Sequence, residues 1–208
     1  MSSVFPLRRL ILAALFAACV SHAQADPVSE AQSAIMQGNY ERAVELVRPA
    51  ADRGNASAQL VLANMYRKGW GVNESLGTAA AWYERSAEQG NVDAQYSLGE
   101  LFYTGAGVTQ NYEKAARWFY RAAKGGKGSA PAPQYQLGLM YQKGEGVKED
   151  RVAAHMWFSI ASLNAVAAST KNEYATVIRT MEGRMTSGQI SAARERARTC
   201  LASNYVQC

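Results

Sequence analysis

The 208-residue sequence predicts an all-α protein, a right-handed α/α solenoid of stacked helical hairpins closed by two C-terminal capping helices. Three observations carry that prediction. One block recurs three times without gaps, AQLVLANMYRKGWGV at 58–72, AQYSLGELFYTGAGV at 94–108 and PQYQLGLMYQKGEGV at 133–147. A second block follows each copy, AAAWYERSAEQGN at 79–91, AARWFYRAAKGGK at 115–127 and AHMWFSIASLNAV at 154–166. Gly71, Gly107 and Gly146 are separated by 36 and 39 residues, and Trp82, Trp118 and Trp157 by the same intervals. A fixed period of that length marks an array whose units bury their apolar faces against one another.

Taken in order, the first 25 residues have the three parts of an export signal: Arg8 and Arg9, the apolar run Leu10 to Val20, and a polar stretch ending Ala23-Gln24-Ala25. Cleavage after Ala25 starts the mature chain at Asp26. Eleven apolar residues are too few to cross a hydrocarbon core of roughly 30 Å as a helix, and no later stretch is long enough, so the mature chain is expected to have no transmembrane segment. Lipid attachment at Cys19 is the lesser alternative, because Phe16 stands where that pattern has an aliphatic residue.

The first block has helical spacing, with Ala58, Leu62 and Tyr66 on one face, matched by Ala94, Leu98 and Phe102 and by Pro133, Leu137 and Tyr141. This is helix A, and the small Ala63, Gly99 and Gly138 let a neighbouring helix come close. A G-x-G-V turn ends it at Gly69–Val72, Gly105–Val108 and Gly144–Val147, where glycine supplies positive φ and valine plugs back into the core. The second block is helix B. Its stripe of Ala79, Trp82, Tyr83, Ser86 and Ala87 returns as Ala115, Trp118, Phe119, Ala122 and Ala123, which places the tryptophans in the core. Asn111 and Asp150 are expected caps. The three-residue insertion falls in the turn-rich linker 125–133, and Ser162 and Ala165 break the pattern of the third B helix, which is expected to run on. Thr170-x-x-Glu173 and Thr186-x-x-Gln189 read as capping boxes opening two more helices, roughly 171–183 and 187–200, that cover the last repeat. Once Cys19 leaves with the signal, Cys200 and Cys208 remain, an even pair in an oxidising compartment. A disulfide pinning the tail is favoured over two free thiols, and over a metal site, since His155 is the only mature histidine and no CxxC exists.

These blocks resemble Sel1-like repeats: a leucine and a small residue, a tyrosine, the G-x-G-V turn, an alanine, a Trp-aromatic pair and a double alanine before glycine. The likeness gives repeats at 56–91, 92–130 and 131–167, with capping helices and tail at 168–208. Upstream, Gly38-Asn39-Tyr40-Glu41-Arg42-Ala43 with Leu46, Val47, Ala50, Ala51 and Gly54 resembles the related tetratricopeptide unit, making 26–55 a degenerate first repeat whose Pro49 is a departure that can kink its helix. The resemblance implies that A helices line a concave surface that takes partners. By spacing, the non-core face of A carries Leu60, Asn64 and Arg67; Tyr96, Glu100 and Tyr103; and Tyr135, Leu139 and Gln142. Trp70 occupies the variable position of its turn, where the other units have Ala106 and Glu145, and is expected to face solvent free to touch a partner. The alternative for Tyr96 and Tyr135 is packing between adjacent A helices.

With 48% hydrophobic, 19% charged and 10% aromatic residues the chain can bury a core. The net charge of +5 includes Arg8 and Arg9, and elsewhere bases and acids are interleaved with no Lys/Arg stripe, so nucleic acid is excluded as partner. There is no G-x-S-x-G elbow, no H-E-x-x-H, and no Lys-Ser/Thr after the glycines at 125–128. His155 reads as a packing or surface residue, and Glu149-Asp150 as charges suited to a helix start. No catalytic, cofactor or metal residue is nominated, and no cofactor is expected. The expectation is a non-enzymatic periplasmic adaptor for a protein or peptide of the cell envelope, in assembly or signalling regulation. The alternative is an envelope hydrolase or cell-wall and β-lactam binder, a property of a cysteine-rich branch with a disulfide in each repeat; the repeats here contain no cysteine. Oligomeric state has no sequence signal.

Overall fold

The computed structural model describes residues 26–125 and 131–208. The export signal, Cys19 and most of the inserted linker therefore lie outside the described residues. Among the described residues there are ten helices and no strand: α1 (Pro27–Met36), α2 (Tyr40–Asp52), α3 (Ala56–Lys68), α4 (Leu76–Glu88), α5 (Val92–Thr104), α6 (Tyr112–Ala123), α7 (Pro131–Lys143), α8 (Arg151–Asn164), α9 (Ala168–Glu182) and α10 (Ser187–Ala202). Odd-numbered helices to α7 are A helices and even-numbered helices to α8 are B helices. Each A packs most extensively on the B that follows it, and each B on the next A, which is the contact pattern of a solenoid of hairpins.

Side-chain caps fix the helix starts. Asn55 and Asn91 cap A helices through the amides of Ala58 and Ala94, at 2.9 and 3.0 Å. Ser75, Asn111 and Asp150 cap B helices. The A helices of the three full units end at Gly69, Gly105 and Gly144, all with positive φ. The second glycine of each turn does a different job. A Cβ on Gly71 would meet the Glu41 nitrogen at 2.8 Å, one on Gly107 the Gly77 nitrogen at 2.7 Å, and one on Gly146 the Glu113 nitrogen at 2.6 Å. Each turn is therefore seated on the first residues of the preceding B helix, and a side chain there would push successive units apart. Within a unit, the small residue of A receives a B-helix ring: a Cβ on Gly99 would lie 2.7 Å from the Phe119 ring, and one on Gly138 2.5 Å from that of Phe158.

Several expectations are corrected. The buried aromatic of each B helix is the residue after the tryptophan: Tyr83, Phe119 and Phe158 are 0, 1 and 0% exposed. Trp82 and Trp118 are half-buried, with the Arg85 and Arg121 guanidiniums over their rings at 4.5 and 4.7 Å. Only Trp157 is core, because α10 covers it. The third B helix stops at Asn164 instead of running on, since Ala165 is extended. α9 starts at Ala168 without a side-chain cap, so Thr170 lies inside its first turn, whereas the Thr186–Gln189 capping box of α10 is formed in both directions. Residues 131–133 of the expected linker are the first turn of α7, and α2 continues through Pro49 to Asp52.

The last two helices pack principally on α8 and not on each other. α9 lies toward the A side, where Tyr174 stacks on Tyr135 at 4.6 Å and Val177, Ile178 and Met181 pack with Tyr135 and Leu139. α10 lies on the other side of α8, where Ala197 and Cys200 join Met156, Trp157 and Ile160.

Candidate functional site

The non-core face of the A helices is only partly free. On α3, Asn64 accepts a hydrogen bond from the Tyr83 hydroxyl at 2.6 Å, which ties a groove residue to the B helix behind it. Tyr83→Phe is expected to cost about 1 kcal/mol, read from the shift in urea midpoint. Arg67 donates from Nη2 to Asn64 Oδ1 at 3.5 Å, while its buried Nε has no partner. Leu60 is half-buried against the core around Ala63 and Tyr83.

On α5, Tyr96 is half-buried with its ring 5.7 Å from that of Phe119. Burial, with Glu100 hydrogen-bonded to the phenol, pushes its pKa up to about 12. Tyr103 donates to Glu145 Oε2 at 2.7 Å and accepts from Lys143 Nζ at 3.3 Å, so it spans from one unit to the turn of the next. The Glu145 hydrogen bond, then burial, raise its pKa. On α7, Tyr135 lies between Phe158 and Tyr174, Leu139 packs against α9, and Gln142 remains exposed. Tyr96 and Tyr135 thus contribute to packing: one rests on its own unit's B helix, the other is clasped by α9. Asn64, Arg67, Glu100, Tyr103 and Gln142 keep accessible surface.

Trp70 is not the free side chain expected. It is half-buried and stacked on Tyr40, 5.0 Å between centroids and 12° between planes, with Lys68 Nζ 4.2 Å above the ring. The matching turns meet different partners: Ala106 faces α4, which begins at Leu76, and Glu145 faces α6, whose first residue Tyr112 packs edge-on against Tyr103 at 5.2 Å.

His155 is 1% exposed and shares hydrogen bonds with Glu182 Oε1 at 2.9 Å and Ser159 Oγ at 3.3 Å. Glu182 also accepts from Arg194 at 2.9 Å, so one carboxylate joins α8, α9 and α10. The His155 hydrogen bond first, and then Arg194, hold its pKa below the ordinary value of 4.5 against the opposing pull of burial. A depressed carboxylate stabilises the fold above its unfolded pKa and loses that contribution as pH falls through the folded value. Glu182→Gln is therefore expected to cost about 1–2 kcal/mol at neutral pH, and the difference from the parent protein should shrink below pH 4.5 in urea titrations.

The sequence reading missed a ladder of buried glutamines. Gln59, Gln95 and Gln134 donate from Nε2 to the carbonyls of Ala51, Ala87 and Ala123, at 3.1, 3.0 and 3.3 Å. Each ties the next A helix to a carbonyl in the last turn of the preceding B helix; those of Ala51 and Ala87 also accept from the Gly54 and Gly90 amides at 3.0 Å. Gln59 accepts in turn from Gln89, and Gln134 from Asn164, which also donates to Tyr205. The signal was present, since glutamine is the second residue of all three aligned blocks. At the tail, Cys200 and Cys208 adjoin with Cα atoms 4.6 Å apart, and the segment between them seats Tyr205, 2% exposed, in the last core cluster. Among the described residues no helix is long and apolar enough to cross a membrane, and no cluster of His, Cys, Asp and Glu could hold a metal ion.

Known proteins share this architecture. No curated protein matches the chain. The chain resembles the crystal structure of a Sel1 repeat protein from Oxalobacter formigenes, with 24% identity and a TM-score of 0.65, over 73% of this chain and 59% of that one. It also resembles a protective antigen present in uropathogenic Escherichia coli strains that displays an SLR fold, with 25% identity and a TM-score of 0.56, over 88% of this chain and 48% of that one. It thus spans about half to three-fifths of the length of these proteins. The Sel1 repeat model matches residues 32–55, 56–91, 92–127 and 134–165, and with those units making up most of its length the chain belongs to the Sel1 repeat family.

Proposed function

We propose that the chain is an exported, periplasmic, non-enzymatic adaptor that takes a protein or peptide partner on its A-helix face, in envelope assembly or signalling regulation. The observation that carries this reading is the accessible polar strip of Arg67, Glu100, Tyr103 and Gln142 on helices held rigid from behind by Tyr83, Phe119 and Phe158. The export pattern of residues 1–25 and the adjoining Cys200 and Cys208 support the compartment.

A photo-crosslinking residue placed at 67, 100 or 142 in cells is expected to trap the partner, whereas the same residue at Glu84, Arg117 or Arg121 on the B helices is not. Trapping only from the B-helix positions would move the site to the opposite face. Intact mass of periplasmic material is expected to start at Asp26 and to show no alkylatable thiol. Incubation with a fluorescent β-lactam is expected to leave no stable label, and a label would favour the cell-wall reading.

A further inference from the structure

We propose that the cleft between α9 and the turn joining α7 to α8 binds the C-terminal end of a partner polypeptide, taking an apolar last side chain together with its free carboxylate. The cleft holds about 290 Å³ and is floored by Met181, 5% exposed, and Val177. Thr176 and Thr180 add walls. Their hydroxyls already donate to the carbonyls of Asn172 and Thr176, at 2.8 and 2.9 Å, so these walls offer methyl groups and no spare donor. The interior is therefore suited to an aliphatic group and offers no hydroxyl donor to a polar acceptor.

The rim has the opposite character. Arg151 lies 3.6 Å from Glu149 and donates to the Arg184 carbonyl at 3.4 Å. The Arg184 guanidinium makes no ion pair among the described residues. Two arginines against one carboxylate leave the mouth positive, and a guanidinium fork recognises carboxylate well. An aliphatic group and a carboxylate on the same carbon are what a polypeptide presents at its C-terminus. An internal apolar residue lacks the charge, and an internal acidic residue lacks the aliphatic group. Gln142 forms the wall toward the A-helix face, so the preceding residues of the bound chain would run onto that face. For the direction of the bound chain, the inference rests on the adaptor reading above.

The test is fluorescence polarisation of the mature full chain with three dye-labelled peptides: Gly-Ser-Gly-Ser-Leu as free acid, the same peptide as amide, and Gly-Ser-Gly-Ser-Lys as free acid. The leucine acid is expected to bind saturably, with the amide and the lysine peptide at least tenfold weaker. Arg184→Glu, at an exposed position, is expected to weaken the leucine acid at least tenfold with an unchanged helical circular dichroism spectrum. Thr180→Trp, whose indole would fill the cleft from an exposed position, is expected to abolish binding. Equal binding of acid and amide, indifference to both substitutions, or no saturable binding of the leucine acid would overturn the proposal. The crosslinks at positions 67 and 100 are read separately. Their loss with peptide binding intact would remove the A-face reading and leave the cleft, and the reverse result would remove the cleft alone.

Discussion

Replacing Gly107 by valine is expected to destabilise the chain by about 3 kcal/mol or more, the sum of two separable costs. The residue has φ +75°, where a β-branched side chain costs about 1–3 kcal/mol in backbone strain. Its Cβ would also stand 2.7 Å from the Gly77 nitrogen at the start of α4, and forcing atoms into a filled seam costs about 1–3 kcal/mol. Gly90 separates the terms, because it has φ +89° and nothing within 4 Å of a Cβ. Gly90→Ala should therefore show strain alone, about 1 kcal/mol. Urea unfolding followed by circular dichroism measures both, and equal midpoints for the two variants would mean that the G-x-G-V turn does not set the spacing between units.

Phe119→Ala is expected to cost about 3–5 kcal/mol, the range for emptying a buried aromatic site. The ring is 1% exposed and sits where Gly99 has no side chain, so neither helix can collapse into the void without bringing backbone against backbone. Trp118→Ala, one residue away, is expected to cost about 1–2 kcal/mol, since that indole is half-buried and part of its surface stays wet under Arg121. The larger side chain is thus the less important one. A greater loss for Trp118 than for Phe119, measured by denaturant midpoint, would reverse the assignment of the core.

That contrast shows where the sequence was legible. The period, the A and B helices, the turn glycines and the small residues of A all followed from repetition, because an array imposes the same local environment at each recurrence. Which of two adjacent aromatics points inward did not follow. A stripe of alanines and aromatics is wide enough to accommodate either, and the choice is made by the notch at Gly99 or Gly138 on the facing helix. Where repetition ends, inference weakened. Trp157 was expected in the core and is there, but through α10, and Tyr135 and Leu139 are covered by α9; two capping helices over the last repeat were legible, but not which side chains each would bury. Thr170 matched a capping box by composition, but the chain enters α9 from Ala165 in an extended conformation and is already helical at Ala168. Trp70 was read from its own unit, whereas its neighbour Tyr40 belongs to the unit before. The accessible strip of Asn64, Arg67, Glu100, Tyr103 and Gln142 was legible from spacing; the clasp on its last aromatic was not.

The glutamine ladder has a consequence for how such a chain can change its length. Gly54 and Gly90 both have positive φ, Asn55 and Asn91 both cap the helix that follows, and Gln59 and Gln95 both reach back to the carbonyl eight residues earlier. Excising 55–90 would join Gly54 to Asn91 and restore each of these interactions with a new partner of the same kind: Gln95 would meet the Ala51 carbonyl, and Gly107 would settle on Tyr40. The seam is thus a site where recombination conserves the cap, turn and glutamine contacts, at the loss of the Tyr40–Trp70 stack. Unequal crossing-over there would add or drop whole 36-residue cassettes without disturbing either end of the protein, so the reach of the A-helix face could be altered by copy number while its packing chemistry stayed the same.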